Sequence, residues 1–124
     1  MPVSYVVDHT SMFVRVHYAD PYSFDDWQRM IEELRVHPAF IFRRRIGVLS
    51  DRTDVGPAPH LFIQLVGSYL ATHASFLRDR RIAIVVRDVE SALSVWPLAS
   101  LYEAAGAVCT LFESRSEAEG WLLR

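Results

Sequence analysis

Hydrophobic and polar positions follow two periods along this chain, and the switches between them mark its elements. Val3 to Val7 is short and β-prone, and a turn cluster, Asp8-His9-Thr10-Ser11, follows it. From Met12 to Tyr18 the pattern alternates, with Val14, Val16 and Tyr18 on one side and Arg15 and His17 on the other. That is the period of a half-buried strand, and the short turn predicts an antiparallel hairpin. The period then becomes helical. Phe24, Trp27, Ile31 and Leu34 share a face behind Ser23, a good N-cap, with Asp25 and Asp26 in the positive first turn. His37-Pro38 ends this helix, because the residue before proline disfavours helical backbone.

Phe40 to Arg45 reads as a connection with apolar anchors, Ile46 to Ser50 as a third strand, and Asp51 to Pro59 as a loop broken by Gly56, Pro57 and Pro59. A second helix is predicted from Pro59 or His60 to about Arg78, with Pro59 in its first turn. Leu61, Phe62, Leu65, Val66, Tyr69, Leu70, Phe76 and Leu77 form its broad apolar stripe. Arg81 to Phe112 then organises the chain. Ile82 to Val86 is an unbroken apolar run, fitting a strand covered on both faces. A helix joins it to a last strand, Ala107 to Phe112, as a right-handed crossover. Ser94 is read as the N-cap of this helix, which places Pro97 in its first turn, and Gly106 ends it. Ser116-Glu117-Ala118-Glu119 has capping-box spacing and opens a final helix carrying Trp121 and Leu122. The predicted fold is α/β, one domain over residues 1–124, in the order β-β-α-β-α-β-α-β-α with a mixed, mostly parallel sheet.

Composition narrows the function. Half the residues are hydrophobic (51%), which excludes a disordered chain, and the net charge of -2 gives no global attraction to nucleic acid or anionic lipid. All 13 basic residues are Arg. The lone Cys109 can form no internal disulfide and is read as a buried, inert thiol. No signal peptide and no membrane span is read, so the expected location is the cytoplasm. His9, His17, His37, His60 and His73 show no ligand spacing, so no metal is expected, and no cofactor motif is present. Arg43-Arg44-Arg45 and Arg78…Arg80-Arg81 read as solvated faces rather than a nucleic-acid patch.

A resemblance is carried by Val14-Arg15-Val16, Val48-Leu49-Ser50-Asp51-Arg52, Arg81 to Val86, Leu101-Tyr102-Glu103 and the ending Phe112…Glu117-Ala118…Trp121-Leu122. Over nearly its whole length the chain resembles the SpoIIAA-like family of small bacterial domains, related to STAS (anti-sigma-factor antagonist) domains. The resemblance implies successive β-α turns wound into a superhelix, with helices mainly on one face of the sheet. It also implies a regulatory or binding domain. STAS-type switch proteins carry a phosphorylatable hydroxyl after the third strand. Here Asp51 matches the acidic strand-end position and Thr53 is the nearest hydroxyl, but the compact Asp-x-Ser-Gly arrangement is replaced by a longer Gly-Pro loop. Asp51 and Thr53 are therefore read as turn-forming residues.

Three functions follow as expectations: a non-catalytic regulatory or protein-interaction domain, a carrier or sensor of a small apolar ligand, and an enzyme using the strand-end groups Asp51, Arg52, Asp88 and Glu113. The site expected for a ligand or a regulatory protein partner comprises Asp51, Arg52, Thr53, Asp54, Arg87 and Asp88. A homodimer is expected as well. Ile82, Ile84 and Val86 face one way and Ala83 and Val85 the other, so both sheet faces are apolar and the second needs a cover. Phe40 and Phe42 are the chain's own candidates for part of that cover.

Overall fold

The computed structural model describes residues 2–8, 10 and 12–124, so His9 and Ser11 of the predicted turn lie outside the described residues. Strands β1 (Val3–Asp8) and β2 (Phe13–Tyr18) pair antiparallel, with Tyr5 opposite Val16. Strands β3 (Gly47–Asp51), β4 (Arg81–Val85) and β5 (Val108–Phe112) then add in parallel, in the spatial order β1-β2-β3-β4-β5. Each starts or ends within a residue or so of its predicted position. Right-handed crossovers that always step the same way place the connecting helices on one face of the sheet. Those helices are α1 (Phe24–Arg35), α2 (Pro38–Phe42), α3 (His60–Thr72) and α4 (Val89–Ala104). Val14, Val16, Val48, Ile82 and Ile84 share the main core with Trp27, Phe62, Val66, Leu98 and Tyr102 from the helical layer.

Ser23 caps α1 as predicted and adds a reciprocal bond, its N–H donating to Asp26 at 2.9 Å. The connection after it contains the short helix α2, for which His37 Nδ1 accepts the Ala39 N–H at 3.1 Å. Pro38, which stops α1, also starts α2, where its missing N–H costs nothing.

The boundaries of three helices differ from expectation. Pro59 is the N-cap of α3 rather than a first-turn residue, and α3 ends at Thr72, with Phe76 and Leu77 in or beside a separate 3-10 turn, Ser75–Leu77. Its buried residues are Phe62, Ile63, Val66, Tyr69 and Leu70, while Leu61 and Leu65 face outward. A helix apolar nearly all round gives periodicity no face to choose. Helix α4 begins at Val89, not near Val95. Asp88 is its cap, accepting the Ser91 N–H at 2.8 Å, so Pro97 lies in the helix interior. Ser94 caps nothing; its hydroxyl donates to the Ser91 carbonyl at 2.7 Å and accepts the Ala58 N–H at 2.9 Å, tying α4 to the loop before α3. Helix α5 (Arg115–Leu122) is capped by Ser114, which accepts the Glu117 N–H, and not by Ser116.

The second sheet face is covered by the chain itself. Phe13, Leu49, Ala83 and Val85 pack with Ala118 of α5, flanked by Phe112, Trp121 and Leu122. Gly47 allows that closeness, since a Cβ there would come within 2.7 Å of Leu122 Cδ2. This removes the premise on which the homodimer expectation rested. The expected cover from Phe40 and Phe42 is also corrected: Phe40 is buried in the main core and Phe42 is 83% exposed.

Candidate functional site

The loops after β3 and β4 lie side by side at the carboxyl edge of the sheet. The Arg52 N–H donates to the Val85 carbonyl at 2.9 Å, and Arg87 Nη2 comes within 3.4 Å of where a Cβ on Gly56 would lie. The six expected site residues therefore share one edge, but their side chains divide into separate groups.

Asp51 and Thr53 form the tightest group. Asp51 Oδ1 accepts the Thr53 N–H at 3.0 Å and its hydroxyl at 2.6 Å, the turn arrangement expected from the residue types. The other oxygen, Oδ2, accepts Arg115 Nε at 2.8 Å, while Arg115 Nη2 donates to Thr53 Oγ1 at 2.6 Å. Partial burial pushes the Asp51 carboxyl up, but the Thr53 hydrogen bonds and the Arg115 charge outweigh it and leave the group below its ordinary value. Asp54 turns away and meets His17 Nε2 at 2.7 Å. Asp88 is committed to capping α4 and has Arg87 Nε at 3.6 Å; the Ser91 N–H holds its carboxyl low.

Arg52 does not belong to this surface. It is 1% exposed and its guanidinium lies over the rings of Tyr18 (4.5 Å), Tyr22 (5.1 Å) and Phe62 (5.9 Å). Nη2 donates to the Tyr22 hydroxyl, whereas Nε and Nη1 make no hydrogen bond of ordinary geometry among the described residues. Three aromatic faces make the inward position tolerable for a cation that the sequence placed on a loop.

Arg115 was not legible as a site residue, because its partners are 64 and 62 positions away. One cue existed. A basic side chain in the first turn opposes the helix dipole, which suggests that it serves a contact outside its helix.

Beneath the edge, Tyr18, Trp27, Ser50 and Tyr102 line an otherwise apolar cavity of about 20 Å³. That is room for one water molecule, far below the several hundred Å³ of a small-molecule pocket. Among the described residues the buried Trp27 Nε1–H makes no hydrogen bond of ordinary geometry. Burial raises the Tyr18 and Tyr102 phenols, so both stay neutral. Cys109 is buried, as read from the sequence, and its thiol is pushed up to about 12 by burial and by Glu103.

A different surface is built by α3 and α4. Leu61, Leu65, Ser68 and Thr72 are exposed along one line of α3, and Val89, Leu93, Trp96 and Ser100 along one line of α4. Both series advance by four, three and four residues, the spacing of a helix-packing seam. Leu61, Leu93 and Trp96 are 64, 72 and 65% exposed. The groove between the helices, bordered by Gly67, Ala71, Pro97 and Leu101, is lined by no ionisable residue among the described residues.

Among the described residues no group of three His, Cys, Asp or Glu could hold a metal ion, and no helix is long and apolar enough to cross a membrane. Comparison of the chain with protein-family models, curated proteins and solved structures finds no match.

Proposed function

We propose that the chain is a non-catalytic regulatory or protein-interaction domain of the SpoIIAA-like kind, and that its contact surface is the outward face of α3 and α4. The observation that carries this reading is the absence of charge there. From His60 to Thr72 the sequence of α3 holds no Asp, Glu or Arg, and between Glu90 and Glu103 neither does α4. Helices that are apolar on both sides are covered on both sides. The core covers one side, and a partner covers the other. A second copy suits the face, because an uncharged patch meets its own image without like-charge repulsion. The homodimer expectation thus moves from the sheet to the helical layer.

The strand-end groups support the same reading. Asp51 is held by Thr53 and Arg115 and kept ionised, Asp88 caps a helix, and Arg52 is buried under aromatic rings. Both carboxylates are held too low to serve as general acids at neutral pH, and their oxygens are already taken up by hydrogen-bond and ion-pair partners.

A photo-reactive side chain placed at Leu93 tests the reading. Irradiation of the purified protein should give a covalent dimer from position 93 and none from the exposed Glu117 of α5. Equal yields, or no adduct at 93, would remove this face from the proposal.

A further inference from the structure

Two arginine clusters that are distant in sequence, Arg43-Arg44-Arg45 and Arg78-Asp79-Arg80-Arg81, meet at the amino ends of β3 and β4, the edge opposite Asp51 and Asp88. Three adjoining hollows lie there, and Arg45 borders all of them. Arg44 and Arg78 share the first, Arg81 and Arg124 the second, and Arg43 the third. Among the described residues Asp79 is the single acidic side chain lining them. Arg80 has an internal task. It is 6% exposed, donates to the carbonyls of Phe40 (2.6 Å), Phe76 (2.6 Å) and Arg43 (3.0 Å), and so fixes α2 and the first cluster to the strand start. The remaining arginines are exposed or half-buried. A net charge of -2 for the whole chain hides this concentration of positive charge.

Apolar side chains stand beside it. Phe42 is 83% exposed, Met12 52% and Ile41 49%, and Phe42 and Met12 line a hollow with Arg43, Arg44 and Arg45. Solvated arginines alone would need no explanation; a largely exposed phenylalanine within them does. We propose that this end of the molecule docks on an anionic lipid bilayer. The arginines meet the headgroup phosphates and carboxylates, and Phe42, Ile41 and Met12 enter the boundary between headgroups and acyl chains. Clustered basic residues next to an apolar tip are the combination that holds a protein on an anionic leaflet. A nucleic acid would be served by several flat rings spaced for base stacking. Here Phe42 is the one largely exposed ring, Phe76 being partly buried, and it stands beside an aliphatic and a thioether side chain, which gain from hydrocarbon.

Co-sedimentation of the purified chain with vesicles tests this inference independently of the α3–α4 face. The protein should pellet with phosphatidylcholine vesicles containing phosphatidylserine, remain in solution with phosphatidylcholine alone, and be released by salt. Arg44→Ala with Arg45→Ala should weaken binding about twenty-fivefold, roughly fivefold for each arginine. Phe42→Ser should weaken it while keeping the salt dependence, and Val6→Ser, at an exposed position of β1, should leave it unchanged. Pelleting that ignores phosphatidylserine or the double substitution would overturn the inference. So would release by inorganic phosphate at fixed ionic strength, which would mark a free-phosphate site, or binding of a single-stranded oligonucleotide by protein that ignores the vesicles.

Discussion

Arg115 Nε lies 2.8 Å from Asp51 Oδ2, so the first residue of α5 is tied to the last residue of β3. The pair anchors the helix that covers the second sheet face. Because the Asp51 carboxyl is lowered in the fold, its contribution to stability is fully present above the unfolded value of about 3.9 and is lost as pH falls through the folded value. Asp51→Asn should therefore be less stable than the parent at neutral pH, with the gap closing in acid. Urea unfolding across that range checks it, and a gap independent of pH would show that Asp51 acts through packing alone.

Arg80 holds three backbone carbonyls and lies 3.6 Å from the centroid of the Phe40 ring. Burial lowers its guanidinium to about 10, which leaves it charged at neutral pH. Arg80→Ala abandons those carbonyls in a mostly buried setting and should cost about 3 kcal/mol in denaturant unfolding. A loss within experimental error would mean that water replaces the guanidinium.

Pro97 interrupts α4 two turns after its start and offers no N–H to the carbonyl of Leu93. Pro97→Ala restores that bond at an exposed position and should raise stability by roughly 1–3 kcal/mol. A destabilised variant would show that the proline is required by its surroundings.

Ala118 is fully buried between α5 and the sheet. Ala118→Leu should cost about 1–3 kcal/mol by overpacking, read as a lower denaturant midpoint. An unchanged midpoint would mean that α5 lifts freely from this face.

The strands were legible because their signals are local. Val14, Val16 and Tyr18 alternate with Arg15 and His17, and Ile82 to Val86 forms an unbroken run, so neither depends on distant residues for its reading. Ser23, followed by Asp26, set the start of α1 in the same local way. What failed was decided by competition between neighbours. Asp88 and Ser94 could both cap α4; Asp88 does, and the longer helix accepts Pro97 inside it. Ser114 and Ser116 competed likewise at α5. The strand-end edge was foreseen, because Asp51 and Asp88 both follow parallel strands. The inward turn of Arg52 and the arrival of Arg115 were not, since each depends on residues remote in sequence. The same holds for the meeting of Arg45 with Arg78 and Arg81, which the sequence shows only as two short basic runs.

The mass of the protein in solution tests the central claim most directly. If the uncharged face of α3 and α4 pairs with its own copy, light scattering at micromolar concentration should give twice the 14.2 kDa of the chain. Leu93→Asp and Trp96→Asp, at positions 72 and 65% exposed, should each return 14.2 kDa with unchanged circular dichroism, while Val6→Asp stays paired. A parent protein that runs at 14.2 kDa, or a pair indifferent to both substitutions, would contradict the account.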